Sequence, residues 1–271
     1  MAGGDKEHKM LFDLRSGRRG SMVKVVYAVL AVLMGASLFL TVGPFSLGEL
    51  FGGGNSAGDA AEPYEEQADR IEVRLKKEPQ NPDLLLSLTR AEINAGNAGT
   101  TVEPNGAQSL STEAVEAYRK ADQAWSDYLK ATDEPSSGLA LVVAPMQLTL
   151  AELATSYPEA ETRIHAATEA QKIVAKDRPT VNSLSTLSFY TYFTGDFKAA
   201  DKARAEAKQL ANTKAEREAI DKQLDEYEKN ASSYLTAKKK AEKEQKAGGG
   251  GAPESLENPL SPSLGGGGLG E

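Results

Sequence analysis

The sequence of 271 residues contains no cysteine. This absence excludes disulfide bonds, thiol catalysis and cysteine-ligated zinc or iron–sulfur clusters, although it leaves the cellular compartment open. Aromatic residues are also scarce, at 6%, and much of the 40% apolar content is alanine. Because alanine is the strongest helix former and clusters of β-branched residues are few, the composition predicts an all-α protein.

Residues that catalytic sites use are few. The only histidines are His8 and His165, and His165 has no acidic residue at the spacing of a metalloprotease motif. The sequence has no phosphate-binding loop, dinucleotide-binding glycine pattern or nucleophile elbow. Adjacent carboxylates such as those of Glu65 and Glu66 do not converge on one point of a helix surface. The sequence therefore predicts a protein that is not an enzyme, with no catalytic, cofactor-binding or metal-binding residues.

Basic residues lack the clustering that nucleic-acid binding requires. The net charge is -8, and residues 1–24 carry six basic and three acidic side chains, which sum to +3. The remaining 247 residues therefore sum to -11. A chain this acidic has no broad basic face to neutralise phosphates, so we expect no nucleic acid among its partners.

One long segment lacks charge altogether. Residues 25–47 read VVYAVLAVLMGASLFLTVGPFSL, and as a helix they reach about 30–35 Å, enough to cross a bilayer core. Basic residues precede this segment, and the first charge after it is Glu49. The positive-inside rule then predicts a single-pass protein of the cytoplasmic membrane, with residues 1–24 as a basic cytoplasmic arm and the C-terminal domain outside. The alternative is a cleaved signal peptide, which a mature N-terminus near Asp59 would identify.

Composition also divides the rest of the chain. Residues 48–62 are rich in glycine and small polar residues, which predicts a flexible tether. Residues 248–271 are rich in glycine, proline and serine without a periodic apolar face, which predicts a disordered tail. Residues 63–247 carry a nearly continuous helical pattern, punctuated by glycine and proline. Helices are predicted at 64–78, 82–96, 111–131, 136–154, 158–176, 179–194, 196–211 and 213–246.

The stretch 181–211 has an ordered pattern of large and small residues around a glycine turn. Its positions are Leu184, Leu187, Ser188, Gly195, Asp196, Phe197, Ala200, Ala207 and Leu210. Small residues at 188 and 200 allow two helices to cross closely, and Gly195 allows the chain to reverse. This pattern resembles the tetratricopeptide repeat (TPR) family. The resemblance implies an α-solenoid of antiparallel helix pairs, which the long helix at 213–246 would cap.

Two further copies depart from this pattern. The first has Leu85, Leu88, Thr89, Gly96, Ala114, Tyr118 and Ala121 at matching positions, but a loop is inserted between its two helices. The region 136–176 has the length of a middle copy, but Ser156, Tyr157 and Pro158 replace the glycine turn. The alternative interpretation is a generic alanine-rich helical bundle.

The resemblance also implies a binding groove, because the first helix of each TPR pair lines a concave surface that holds a peptide or a partner helix. The matching positions are Asn182, Ser185, Phe189 and Tyr192 in the third copy, and Asp83, Leu86, Arg90 and Ile93 in the first. The alternative is that Phe189 and Tyr192 only pack against a neighbouring copy.

The implied function is that of a non-enzymatic, membrane-anchored adaptor that binds proteins or peptides in the cell envelope, alongside protein export or folding. Two other hypotheses stay open. One is a self-associating structural or assembly factor, a homo-oligomer for which Gly35, Ala36 and Ser37 offer a small-residue contact surface. The other is an accessory subunit of an envelope enzyme.

Overall fold

The structure is a computed structural model, and it describes residues 57–102 and 108–246. The basic arm (1–24), the predicted transmembrane helix (25–47), most of the predicted tether (48–62) and the predicted tail (248–271) lie outside these residues. Among the described helices, none combines the length and the apolar character that crossing a lipid bilayer requires.

The described residues form eight helices and one short hairpin. This confirms the all-α prediction for this part of the chain. The elements are α1 (Ala57–Leu75), α2 (Pro82–Ala98), β1 (Thr100–Val102), β2 (Gln108–Leu110), α3 (Thr112–Ala131), α4 (Ser137–Glu152), α5 (Tyr157–Asp177), α6 (Val181–Thr194), α7 (Phe197–Leu210) and α8 (Lys214–Lys246).

Short polar side chains set where the helices begin. The Ser111 hydroxyl accepts a hydrogen bond from the backbone N–H of Ala114, which satisfies a donor that the first turn of α3 leaves free. Asn81, Ser136, Ser156, Thr180 and Asp196 cap α2, α4, α5, α6 and α7 in the same way. Gly195 ends α6 with φ of 85°, a left-handed conformation that glycine adopts without steric strain.

Two local features differ from the sequence-based expectations. Helix α1 begins at Ala57, inside the segment expected to be a tether, and Ala61 in its second turn is buried. The loop expected after α2 contains an antiparallel hairpin, in which Thr101 pairs with Ser109. β-Branched residues in Thr100–Val102 and the Asn105-Gly106 pair that follows favour such a hairpin over an irregular loop.

Consecutive helices pack against one another along the chain. Helix α2 packs on both α1 and α3, α4 packs on α5, and α6 packs on α7. Between pairs, α4 contacts α2 and α3, and α6 contacts α5. Helix α8 closes the array by packing on α6 and α7. The largest apolar cluster extends from Leu85 in α2 to Tyr234 in α8, and a separate, smaller cluster joins Ala68 and Ile71 of α1 to α2 and α3.

Candidate partner-binding surface

The third helix pair, α6 and α7, buries two of its four predicted groove residues. Asn182 is exposed and Ser185 is half-buried, but Phe189 and Tyr192 are only 6% and 0% exposed. The Tyr192 ring lies 5.8 Å from that of Phe197, and its hydroxyl donates to Asp201 Oδ1 at 2.7 Å. Tyr192 therefore ties α6 to α7 and is not available to a ligand.

Helix α8 covers the face of α6 that carries Phe189. The ring of Tyr227 lies 4.5 Å from that of Phe189, and the ring of Tyr234 lies 6.0 Å from that of Phe193. Such aromatic pairs add about 0.5–1.5 kcal/mol each beyond the area they bury. The chain's own last helix thus occupies the position where a groove ligand would contact Phe189.

Charged side chains hold α8 along its length. Arg204 of α7 contacts the carboxylates of Asp221 and Asp225 at 2.6 and 2.7 Å, and Lys208 contacts Asp221 at 2.5 Å. The Lys208 ammonium and the Arg204 guanidinium keep the pKa of Asp221 below its usual value. Further along α8, Lys238 contacts Glu161 of α5 at 2.6 Å. Arg204, Lys208 and Asp221 line an open cleft of about 420 Å³. Because these charged groups already pair with one another, they are not free to bind a ligand there.

The predicted groove residues of the first pair are divided between surface and core. Asp83 and Arg90 are exposed on α2, and Arg90 forms no salt bridge with any described residue. Leu86 is half-buried, whereas Ile93 is 3% exposed and belongs to the core. This face therefore offers an exposed charge of each sign beside one half-buried leucine, Leu86.

The middle pair presents the largest apolar surface of the described first helices. Leu141 and Val142 of α4 are 51% and 40% exposed. Pro145 is also exposed, and Leu148 is half-buried. Spacings of three and four residues place these side chains on one face of the helix. We call this set of four residues the α4 stripe.

Three of the four residues of the α4 stripe, all except Val142, occupy repeat positions at which groove residues were predicted. Ala144 of α4 is fully buried, as are Thr89 of α2 and Ser188 of α6. When these three small residues are aligned, Leu141, Pro145 and Leu148 fall at the positions of Ser185, Phe189 and Tyr192. The middle pair thus leaves open the positions that α8 and α7 cover in the third pair.

A buried polar network fixes the orientation of α4. The Gln147 side chain is fully buried and donates a hydrogen bond to Asp122 of α3. Arg163 of α5 forms a salt bridge with the same carboxylate. Because these bonds join three helices on the inner face of α4, the stripe on its opposite face is held towards solvent.

The α4 stripe was not predicted, because residues 136–176 lack the glycine turn and no groove residues were assigned to them. The low charge of α4 could have indicated it, since Glu152 is the only charged residue in SGLALVVAPMQLTLAE. A helix that is apolar all round is normally buried on all sides. Here one side stays uncovered among the described residues.

In the described part of the chain, no group of histidine, aspartate and glutamate side chains is arranged to hold a metal ion. His165 is exposed on α5. The geometry supports binding through the α4 stripe.

Comparisons with known proteins add no assignment, since no family model matches the chain and neither do any curated proteins or solved structures.

Proposed function

We propose that the protein is a non-enzymatic, membrane-anchored adaptor of the TPR class that binds an apolar segment of a partner protein. The observation that carries this proposal is the α4 stripe, an exposed apolar face at the groove positions of the middle helix pair. Monomeric proteins rarely leave a contiguous apolar surface on a rigid helix without a binding role.

Packing supports the assignment to the TPR class. Each pair has two alanines seven residues apart in its second helix, all of them 0–2% exposed: Ala114, Ala121, Ala160, Ala167, Ala200 and Ala207. The facing helices carry the small residues Thr89, Ala144 and Ser188, each 0% exposed. Small buried residues on both sides let the helices approach to the near end of the 8–10 Å range.

Binding would follow from covering the stripe. Removing the exposed parts of Leu141 and Val142 from water contributes on the order of 1 kcal/mol for each side chain. Asp83 and Arg90, at the corresponding positions of α2, would add polar contacts that fix the direction of a bound segment. The partner is a protein or peptide with several apolar side chains, and no nucleic acid is involved.

The uncharged segment 25–47 would place this surface at the bacterial cytoplasmic membrane. In this proposal the basic arm stays in the cytoplasm, and the helical domain meets envelope proteins during export or folding. A role as an assembly factor or as an enzyme's accessory subunit would use the same stripe with a different partner.

Site-specific crosslinking in intact cells tests the proposal. A photoreactive amino acid replaces Leu141 in one variant and Val73 in the control, since Val73 is an exposed apolar residue of α1, 57% exposed. We expect crosslinks to other proteins at position 141 and none at position 73. A second pair, Leu141→Asp and Val73→Asp, should show loss of capture for the first variant only, with similar melting temperatures for both.

The crosslinked products separate the three roles. Several different envelope proteins support the adaptor, crosslinks between copies of this chain support the assembly factor, and one enzyme in fixed ratio supports the accessory subunit. Equal crosslinking at positions 141 and 73 would overturn the proposal that the stripe is a binding surface.

A further inference from the structure

The C-terminal sequence contains a short apolar segment between two runs of glycine. Residues 248–251 and 265–268 are each four glycines, and between them the chain reads APESLENPLSPSL. Its leucines are Leu256, Leu260 and Leu264, spaced four residues apart, with Pro259 and Pro262 among them. We call residues 253–264 the tail segment. The first glycine run separates it from α8 by a flexible linker.

The last described turns of α8 run along α5, the helix that packs on α4. The ring of Tyr234 lies 5.7 Å from that of Tyr157, the first residue of α5, and Lys238 contacts Glu161 one turn later. Tyr157 directly follows the connection that ends α4 at Leu153. Helix α8 therefore passes the start of α5, which lies four residues along the chain from the end of α4 at Leu153, before it ends at Lys246.

The linker is long enough to complete the connection. From Lys238 to Lys246, α8 extends about 12 Å further, at 1.5 Å per residue. Residues 247–255 can span up to about 30 Å when extended. Helix α4 is about 24 Å long, so Leu256 can reach the near end of the stripe and the rest of the segment can follow it.

The chemistry of the two surfaces also matches. The α4 stripe presents three aliphatic side chains and a proline with no charge among them. The tail segment supplies three leucines, and its prolines restrict the backbone and lower the entropy lost on binding. Its two carboxylates, Glu254 and Glu257, both lie in the first half of the segment.

From these observations we infer that the α4 stripe binds the chain's own tail segment, so that partner proteins must displace an internal ligand. The inference rests on the proposed function, because it concerns the same surface. A short linker gives the tail segment an effective concentration in the millimolar range. A contact too weak to form between separate molecules would therefore still occupy the stripe for much of the time.

The absence of cysteine makes a direct test simple. In the full chain, purified in detergent, Leu141→Cys is combined with Leu260→Cys, and the rate of disulfide formation under mild oxidation is measured. The matched control combines Val73→Cys with Leu260→Cys, which joins the same tail position to an exposed apolar residue of α1. We expect intramolecular crosslinking to be faster by about tenfold or more for the pair with position 141, because docking raises its effective concentration.

Three outcomes decide the inference. A faster intramolecular disulfide at position 141, slowed to the control rate by Leu256→Ser with Leu264→Ser, supports it. Equal rates for the two cysteine pairs overturn it. A fast disulfide that joins two chains and depends on protein concentration also overturns it, because the occupant is then a second copy.

The disulfide and crosslinking experiments together distinguish failure of this inference from failure of the proposed function. Equal disulfide rates together with partner crosslinks at position 141 would remove only the internal ligand. A fast intramolecular disulfide without any partner crosslink, even after residues 247–271 are deleted, would remove only the adaptor. If both hold, that deletion should increase partner capture at position 141.

Discussion

The third and middle helix pairs show opposite relations between repeat signature and open surface. The third pair carries the clearest TPR-like pattern, with Gly195 at its turn, yet α8 and α7 cover the positions that would bind a ligand. The middle pair lacks the glycine turn, yet its first helix presents the α4 stripe to solvent. A repeat signature reports how two helices cross, because small buried residues determine the crossing. Whether the outer face is open depends on what packs there next.

The largest expected effect on stability comes from removing the Phe189 ring, which α8 covers. Phe189→Ala should lower the free energy of unfolding by about 3–5 kcal/mol, as is typical for a buried phenylalanine. The Phe189 ring packs 4.5 Å from Tyr227 and 5.4 Å from Phe193, so its loss leaves a cavity between α6 and α8. Leu141→Ala, at an exposed position of the α4 stripe, should change stability by no more than about 0.5 kcal/mol. Urea unfolding followed by circular dichroism measures both.

A small loss for Phe189→Ala would contradict this contrast, since α8 would then contribute little to covering α6. A large loss for Leu141→Ala would mean that contact with the stripe already stabilises another part of the chain, either a described helix or the tail segment. Combining Leu141→Ala with deletion of 247–271 would separate those two cases.

The second prediction concerns the pH dependence of stability, through a buried carboxyl on α2. Glu92 is 2% exposed, and this burial raises its pKa from 4.5 to about 7. The Lys120 ammonium opposes the rise, whereas the carboxylates of Glu72, Glu65 and Asp69 on α1 add to it. The folded protein therefore holds a proton that the unfolded chain releases at lower pH. The stability that this proton contributes is fully present below pH 4.5 and is lost as the pH rises to about 7.

The expected loss of stability is at most about 3–4 kcal/mol, because a pKa difference of one between the folded and unfolded protein corresponds to about 1.4 kcal/mol. Glu92→Gln should flatten the fall in stability across this window and raise the unfolding free energy at pH 8. The matched control is Glu116→Gln on the exposed face of α3, which should keep the pH profile of the parent protein. Unfolding curves between pH 4 and 8 that are parallel for all three proteins would show that Glu92 is ionised without penalty in the fold.

Helix positions followed from local chemistry, whereas the open surface did not. Ser111, Asp196 and Gly195 act through neighbours in sequence, so the ends of α3, α6 and α7 were predictable. Helix α8 carries apolar residues at spacings of three and four, namely Ile220, Leu224, Tyr227, Ala231 and Tyr234, so its apolar face was predictable, and Leu224 and Ala231 on it are 1% and 0% exposed. The predicted capping role of this helix agrees with its packing on α6 and α7. The open α4 stripe was not predictable, because burial of one face of an apolar helix depends on distant parts of the chain.

The smallest expected effects on stability come from alanine substitutions at two glycines, one in α2 of the first pair and one in α4 of the middle pair. A Cβ on Gly96 would lie 2.3 Å from the Tyr118 ring, which cannot retreat easily because its hydroxyl donates to Asn97 at 2.7 Å. A Cβ on Gly138 would find its nearest neighbour, Ser136 Oγ, at 3.8 Å. Gly96→Ala should therefore destabilise the protein by about 1–3 kcal/mol, despite the higher helix propensity of alanine. Gly138→Ala should stabilise it by up to about 1 kcal/mol, because it gains that propensity without a clash. Melting temperatures that rise for both variants would mean that α2 and α3 can move apart, and close approach would then not be what Gly96 provides to the first pair.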